Sequence, residues 1–293
     1  MEINKDYRKQ IEQIKISGED YANEAMKDVY MEQKEALDMM HSYIGKLYVD
    51  NSVDGLLVLS TAQKNKLTTD MKSKLRAMGL KLGKSEVEQV TTILTSLFAT
   101  SYYKNAFVME SGMKANLKFN ILKKEFIDSA VNAKYKGEFF SDRIWTNKAS
   151  MIDKLQSHII SAMKGDMTID KVGKSIKETF NCTAYESRRL VSTEVSRVQA
   201  QASYDIGKST GVEQVMFLAV LDGRTCAEDA NLDGKIYSID DPSKPDLPSH
   251  PNCRCNFCNI PYQNWNPTQR RDNETGKNID YTNYADWAKS KGI

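Results

Sequence analysis

Proline is missing from the first 241 residues; all six (Pro242, Pro245, Pro248, Pro251, Pro261 and Pro267) fall beyond them. Proline removes a backbone donor and clashes inside a helix, so a proline-free run rich in Lys, Glu, Met, Leu and Ala is expected to be mostly helical. Cysteine is scarce, at five in 293 residues, and histidine scarcer, at three. An odd number of cysteines, with no secretory pattern in "MEINKDYRKQIEQ", argues against a disulfide scaffold and for synthesis in a reducing cytoplasm. No apolar run approaches the roughly 18 residues of a membrane span, so no membrane partner is expected. Charge of one sign is also lacking. The formal net charge is +2 with 27% charged residues, which neither points to nucleic acid nor excludes it. The length allows a sizeable core and two domains.

Within the proline-free region, apolar residues recur at helical spacing. Val87, Val90, Ile93, Leu94, Leu97 and Phe98 form one stripe, with Ser85 and Glu88 spaced as a capping box at its start. Ile152, Leu155, Ile159 and Met163 form a second, with Gly165 placed to cap it. Ile169, Val172, Ile176 and Phe180 predict a shorter helix. Thr183 and Glu186 would open another, carrying Val191, Val195, Val198 and Ala202 to an end near Gly207 or Gly211. Core packing is the plain account of these stripes.

After Gly211 the texture changes. "EQVMFLAVLD", "GKIYSI" and "CRCNFCNI" read as three short strands. From Pro261 the chain is polar and Asn-rich, which predicts a loosely held tail with a short terminal helix. The expected fold is therefore α+β and predominantly α-helical. A long helical N-terminal body (1–136) precedes a small α+β domain (137–260), with a short antiparallel sheet and a Cys/His-containing closing segment; a polar tail (261–293) follows.

Three local patterns could carry function. Between Lys64 and Lys84 stand seven bases (Lys64, Lys66, Lys72, Lys74, Arg76, Lys81 and Lys84) against one acid, Asp70. They could contact DNA phosphates or an acidic protein ring; a solvated helix face is the alternative, since no aromatics interleave. "DANLDGKIYSID" places Asp229, Asn231, Asp233, Gly234 and Asp240 as in a calcium loop. Its last position is Asp rather than Glu, and Pro242 follows, so a turn on Asp233-Gly234 is preferred over calcium. "HPNCRCNFC" gathers His250, Cys253, Cys255 and Cys258. With Cys226 brought across, His250, Cys253 and Cys255 would supply four zinc ligands, and Cys258 is a possible substitute. Reduced, partly buried thiols in a loop-rich subdomain are the competing account. Nucleophilic catalysis finds no nucleophile elbow, no Cys/His pair with an orienting acid and no Gly-rich phosphate loop.

The combination "VLDGRTCAED…LDGKIYSI…LPSHPNCRC", preceded by "RRLVSTEVSRVQAQA" and "GEFFSDRIWTNKASMIDKL", resembles the phage head morphogenesis family, the Mu F-like minor head proteins of tailed bacteriophages. The resemblance runs from about Gly137 to Ile260. Its signature residues are Asp222, Arg224, Thr225 and Cys226, then His250, Pro251, Cys253, Arg254 and Cys255. Two departures stand out: Asp229 occupies the place of a second cysteine, and the family's Arg-Thr-Glu becomes Ser192-Thr193-Glu194. The first leaves the fourth zinc ligand to Asp229 or Cys258. The resemblance implies a non-catalytic virion component that associates with the portal protein during procapsid assembly and serves genome packaging or delivery. Scaffolding protein, major capsid protein and packaged DNA are further implied partners. The implied location is the head interior or portal vertex, reached from the host cytoplasm. A metal-dependent or ADP-ribosylating enzyme of a phage or mobile element, and a zinc-stabilised DNA-binding module, are the alternatives.

Overall fold

The computed structural model describes residues 7–113, 117–262 and 264–292. The protein is predominantly α-helical with short antiparallel sheets, and it divides into two compact units, each assembled from separated stretches of chain.

One unit comprises residues 24–91 and 134–190. It contains α2 (Lys27–Asn51), a hairpin of β1 (Ser52–Val53) and β2 (Leu56–Leu57), the first part of α3 (Thr61–Met113), α5 (Phe140–Lys164) and the first half of α6 (Ile169–Ser209). Asp54 and Gly55 both have positive φ, as the two-residue turn of a tight hairpin requires. The core is a helical interleaving of Met40, Ile44, Leu47, Met71, Leu75, Leu155, Ile159, Val172 and Ile176, all buried. Burying each such side chain stabilises the fold by about 1.5–3 kcal/mol. Helix α3 lies close to α5: a Cβ on Gly79 would meet Ile152 at 2.8 Å, and one on Gly83 would meet Trp145 at 2.3 Å. As its sequence suggests, α5 ends at Gly165, whose left-handed backbone lets its N–H reach the Ala162 carbonyl at 3.0 Å.

The other unit comprises residues 1–23, 92–133 and 191–293. Here α1 (Tyr7–Ala25), α4 (Lys124–Val131) and the remainders of α3 and α6 accompany a three-stranded antiparallel sheet of order β4-β3-β5. Its strands are β3 (Gln214–Leu218), β4 (Ile236–Ser238) and β5 (Asn256–Asn259), within the three segments expected to be extended. In register, Val215 faces Tyr237 on one side and Asn259 on the other. Short α7 (Ala227–Leu232) lies between β3 and β4. Arg197 anchors α4 by donating to the carbonyls of Ala130 and Val131 at 2.8 Å, while its Nε pairs with buried Glu194 at 2.7 Å.

Three expectations are corrected. Ser85 and Glu88 do not start a helix: both lie inside the 53 residues of α3, where Glu88 pairs with Lys84. Thr183 and Glu186 likewise sit within the single 41-residue α6. Thr183 donates to the Thr179 carbonyl one turn back, a bond compatible with a continuing helix. The segment after Pro261 is not loose. It forms the hairpin β6 (Gln269–Arg271) and β7 (Asn278–Asp280), then α8 (Tyr284–Lys291), and buries Trp265, Arg270, Asp272 and Trp287.

Candidate functional site

The turn after β3 and the loop before β5 bring the signature residues together within the second unit. Asp222, only 3% exposed, takes the Arg254 guanidinium as a fork: Nη2 donates to Oδ1 at 2.8 Å and Nη1 to Oδ2. The Arg224 N–H adds a bond to Oδ1 at 2.9 Å, and Thr225 Oγ1 donates to the Val220 carbonyl at 2.6 Å. Asp222, Thr225 and Arg254 thus set the backbone of two turns, whereas the Arg224 side chain is 79% exposed. On α6, Thr193 Oγ1 accepts the Asn252 N–H at 3.0 Å, which secures the His-Pro-Asn-Cys loop from below.

Cys226 caps α7, its sulfur accepting the Asp229 N–H at 3.4 Å. One turn on, Asp229 is buried and becomes the common neighbour of the cluster. Its Oδ2 stands 3.3 Å from Cys253 Sγ, 3.2 Å from Cys255 Sγ and 3.3 Å from His250 Nε2. Ser249 Oγ donates to Oδ1 at 3.0 Å. Burial raises the carboxyl, but the bonds from Cys255, Cys253 and Ser249 outweigh it and hold Asp229 below the ordinary range. Of the two thiols, Cys253 ionises first, at about 6, because the Cys255 thiol hydrogen-bonds its thiolate; Cys255 is pushed well upward in consequence.

Of the residues singled out in the sequence, Cys226 and His250 gather on Asp229 as one group and Cys253 and Cys255 gather on it as another, so Asp229 is the member the two groups share. Cys258 does not. It sits in β5 opposite Met216, one residue out of phase with Cys255 and Phe257, so strand alternation sends it to the other face. There it is fully buried near Arg8 and Glu12 of α1, and burial pushes its thiol up to about 12. The would-be calcium loop is part helix, and its acids turn apart: Asp229 to the thiols, Asp233 to Arg270, Asp240 to Lys208 and Tyr204. Two neighbours escaped sequence reading. Ser249 was one residue from the motif. Lys15, buried on α1, donates from Nζ to the Cys255 carbonyl at 2.5 Å and carried no local signal.

The basic segment belongs to the other unit. Lys66, Lys72, Lys74, Arg76, Lys81 and Lys84 are exposed and Lys64 half-buried. Lys74 is paired with Asp70 at 2.8 Å and Lys84 with Glu88 at 3.8 Å, leaving Lys66, Lys72, Arg76 and Lys81 without an ion pair among the described residues. They surround the buried stripe Met71, Leu75, Met78 and Leu82 rather than forming one narrow face.

With the turns, the Cys/His loop and the helical frame in place, the chain can be compared with known proteins. Residues 153–258 match Phage Mu protein F like protein. Over that stretch, about a third of its length, the chain is similar to phage Mu F-like proteins. Over 276 residues it is 23% identical to "Minor head protein GP7" of Bacillus phage SPP1, covering 87% of this chain and 89% of that protein. It is also 23% identical over 202 residues to "NAD(+)--arginine ADP-ribosyltransferase EFV" of Enterococcus faecalis (strain ATCC 700802 / V583). That match takes in 64% of this chain but spans only 41% of the enzyme. No solved structure matches. Among the described residues, no helix of this chain is long and apolar enough to cross a membrane.

The signature turn makes an acid-sensitive element. Burial raises Asp222, but the Arg254 and Arg224 bonds prevail and lower it; Asp272 is lowered likewise by Lys291 and by the N–H groups of Glu274 and Thr275. A carboxylate held below its unfolded value of about 3.9 gives stability that is complete above that value and lost as pH falls through the folded one. Urea midpoints should therefore drop as pH falls below about 4. Asp222→Asn should flatten that drop while lowering the midpoint at neutral pH; an unchanged acid limb would remove Asp222 as its source.

Proposed function

We propose that this chain is a minor head protein of a tailed phage or prophage. In this reading it enters the assembling procapsid, associates with the portal vertex, and serves genome packaging or delivery by binding rather than turnover. The observation that carries the reading is the GP7 match, which spans nearly the full length of both proteins. A partial match to an ADP-ribosyltransferase supports an enzymatic reading less, because most of that enzyme has no counterpart in the alignment. The residue 137–260 segment would be the head-morphogenesis module, with 1–136 and 261–293 as its helical and C-terminal accompaniments. The virion would be its final location and the host cytoplasm its place of assembly.

Two surfaces of the helical unit suit such a role. Lys66, Lys72, Arg76 and Lys81 would face packaged DNA, since exposed bases on a helix neutralise phosphates without reading sequence. A groove of about 630 Å³ lined by Met39, Met40, Tyr43, Met71, Met78 and Leu82 would receive a helix of the portal protein, or of scaffolding or major capsid protein. Methionine side chains adapt readily to such partners.

Lys72 and Arg76 lie four apart on α3, so Lys72→Glu with Arg76→Glu changes one flank only. The purified double variant should bind duplex DNA more weakly, with a log K against log salt slope shallower by about 2. Its far-ultraviolet circular dichroism should be unchanged. Binding and slope equal to the parent's would remove the DNA role from this segment.

A further inference from the structure

We infer that Asp229, His250, Cys253 and Cys255 together hold one zinc ion, a closed structural site that clamps α7 to the loop before β5. This goes beyond the head-protein reading and stands independently of it.

The geometry comes first. Zinc binds sulfur at about 2.3 Å and nitrogen or carboxylate oxygen at about 2.0 Å in a tetrahedron, whose ligand-to-ligand edges are then about 3.3–3.8 Å. Three edges close to these radiate from Asp229 Oδ2, at 3.3 Å to Cys253, 3.2 Å to Cys255 and 3.3 Å to His250; the imidazole and the two thiols stand in separate groups about that oxygen, so binding would draw them together. The four side chains come from two segments, one on α7 and one in the loop. That is the arrangement a cross-linking ion needs.

The second observation is the state of the imidazole. His250 Nδ1 lies 2.9 Å from the Pro251 carbonyl, an acceptor only, so Nδ1 carries a proton and Nε2 is the nitrogen left to bind a proton or a metal. Nε2 is buried and makes no hydrogen bond, although the Asp229 carboxylate is 3.3 Å away. A carboxylate oxygen and an imidazole nitrogen face each other favourably only with a proton or a metal cation between them, and a zinc ion would take that place. An imidazole whose far nitrogen is fixed by a backbone carbonyl is also the usual orientation of a zinc-bound histidine.

The third is charge. With both thiols deprotonated, zinc, two thiolates and one carboxylate carry a net charge of about −1 with neutral imidazole. Buried Lys15, its Nζ 2.5 Å from the Cys255 carbonyl, supplies the compensating positive charge. Around this point the local core is small: Phe217, Ala219, Cys253 and Cys255 are its buried members. Such a loop-rich corner gains most from a metal. Cys226, occupied as the cap of α7, is assigned no zinc bond.

The test uses the full-length protein purified under reducing conditions. Elemental analysis should give about one zinc per chain. Cobalt(II) replacing zinc should show the intense visible bands of a tetrahedral site and a thiolate charge-transfer band. Asp229→Asn and Cys253→Ser should reduce zinc to background; Cys226→Ser and the exposed-site control Cys182→Ser should retain it. Should Cys253→Ser fail to fold, the native protein still decides, since a chelator should strip its zinc and lower its melting temperature. Absence of zinc, with five free thiols and a melting temperature indifferent to chelator and added zinc, would overturn the proposal. Loss of zinc in Cys226→Ser with retention in Asp229→Asn would overturn the ligand assignment.

Discussion

Arg270→Ala is expected to destabilise the sheet-bearing unit by about 3–5 kcal/mol, the usual consequence of removing one partner of a buried ion pair. Arg270 lies after Pro261, in a stretch whose composition suggests a solvated tail, yet its side chain is 1% exposed. Nη1 donates to Asp233 Oδ2 at 2.6 Å and to the Thr282 carbonyl at 2.7 Å; Nη2 donates to the Ala219 carbonyl at 2.7 Å. One guanidinium thereby joins the end of β3, the turn before β4 and the strand leading to α8. Truncation strands the Asp233 carboxylate and two carbonyls in a dry environment. Arg270→Lys should recover little, because an ammonium cannot reproduce the planar fork. A melting-temperature fall of about 10 °C is expected for a domain of this size. Arg271→Ala, at a half-buried neighbour, should shift it far less. A change under about 1 kcal/mol in Arg270→Ala would mean that the C-terminal hairpin contributes nothing to this unit.

Glu86→Ala should be comparably damaging to the helical unit. Glu86 and Lys148, 1% and 2% exposed, meet as an ion pair between α3 and α5. Gln33 of α2 donates to Glu86 at 3.4 Å and to Ser187 of α6 at 3.2 Å, which makes the pair the polar centre of four helices. Removing the carboxylate alone leaves a buried ammonium without its counter-charge, at a cost of about 3–5 kcal/mol. Replacing both partners by apolar groups, as in Glu86→Leu with Lys148→Met, should recover most of that loss. The double-mutant cycle, read from urea midpoints, should therefore show a coupling of about 2 kcal/mol or more. Additive losses would show that the two charges do not depend on one another.

These two buried arginine and lysine contacts also mark where sequence reading stops. Helical stripes such as Leu155, Ile159 and Met163 were legible because one period repeats across several turns, and they are buried as expected. The three strands of the sheet were legible from short apolar runs between turns. Helix ends were less so. Ser85-Glu88 and Thr183-Glu186 have the spacing of caps, but tertiary burial on both sides carries α3 and α6 straight through them. The C-terminal hairpin was hidden by composition: its strands are three residues each, and its burial depends on Arg270, Trp265 and Trp287 rather than on an apolar run. In the cluster, motif spacing found Cys226, His250, Cys253 and Cys255. The resemblance offered Asp229 as a substitute ligand, and the cap geometry of α7 is what makes it the common neighbour. Strand alternation, not spacing, separates Cys258 from its neighbours. Lys15 reaches the site from the far end of the chain, a juxtaposition that only the fold creates.

The most direct measurement is co-assembly. The chain would be produced with the capsid, scaffolding and portal proteins of its own phage, and procapsids formed with and without portal would be separated by sedimentation and their protein composition determined by mass spectrometry. Incorporation of a few copies, dependent on portal, is the result the head-protein account requires. Procapsids that exclude the chain whether or not portal is present, together with NAD-dependent labelling of arginine in a protein substrate by the purified chain, would contradict it and favour the ADP-ribosylating alternative.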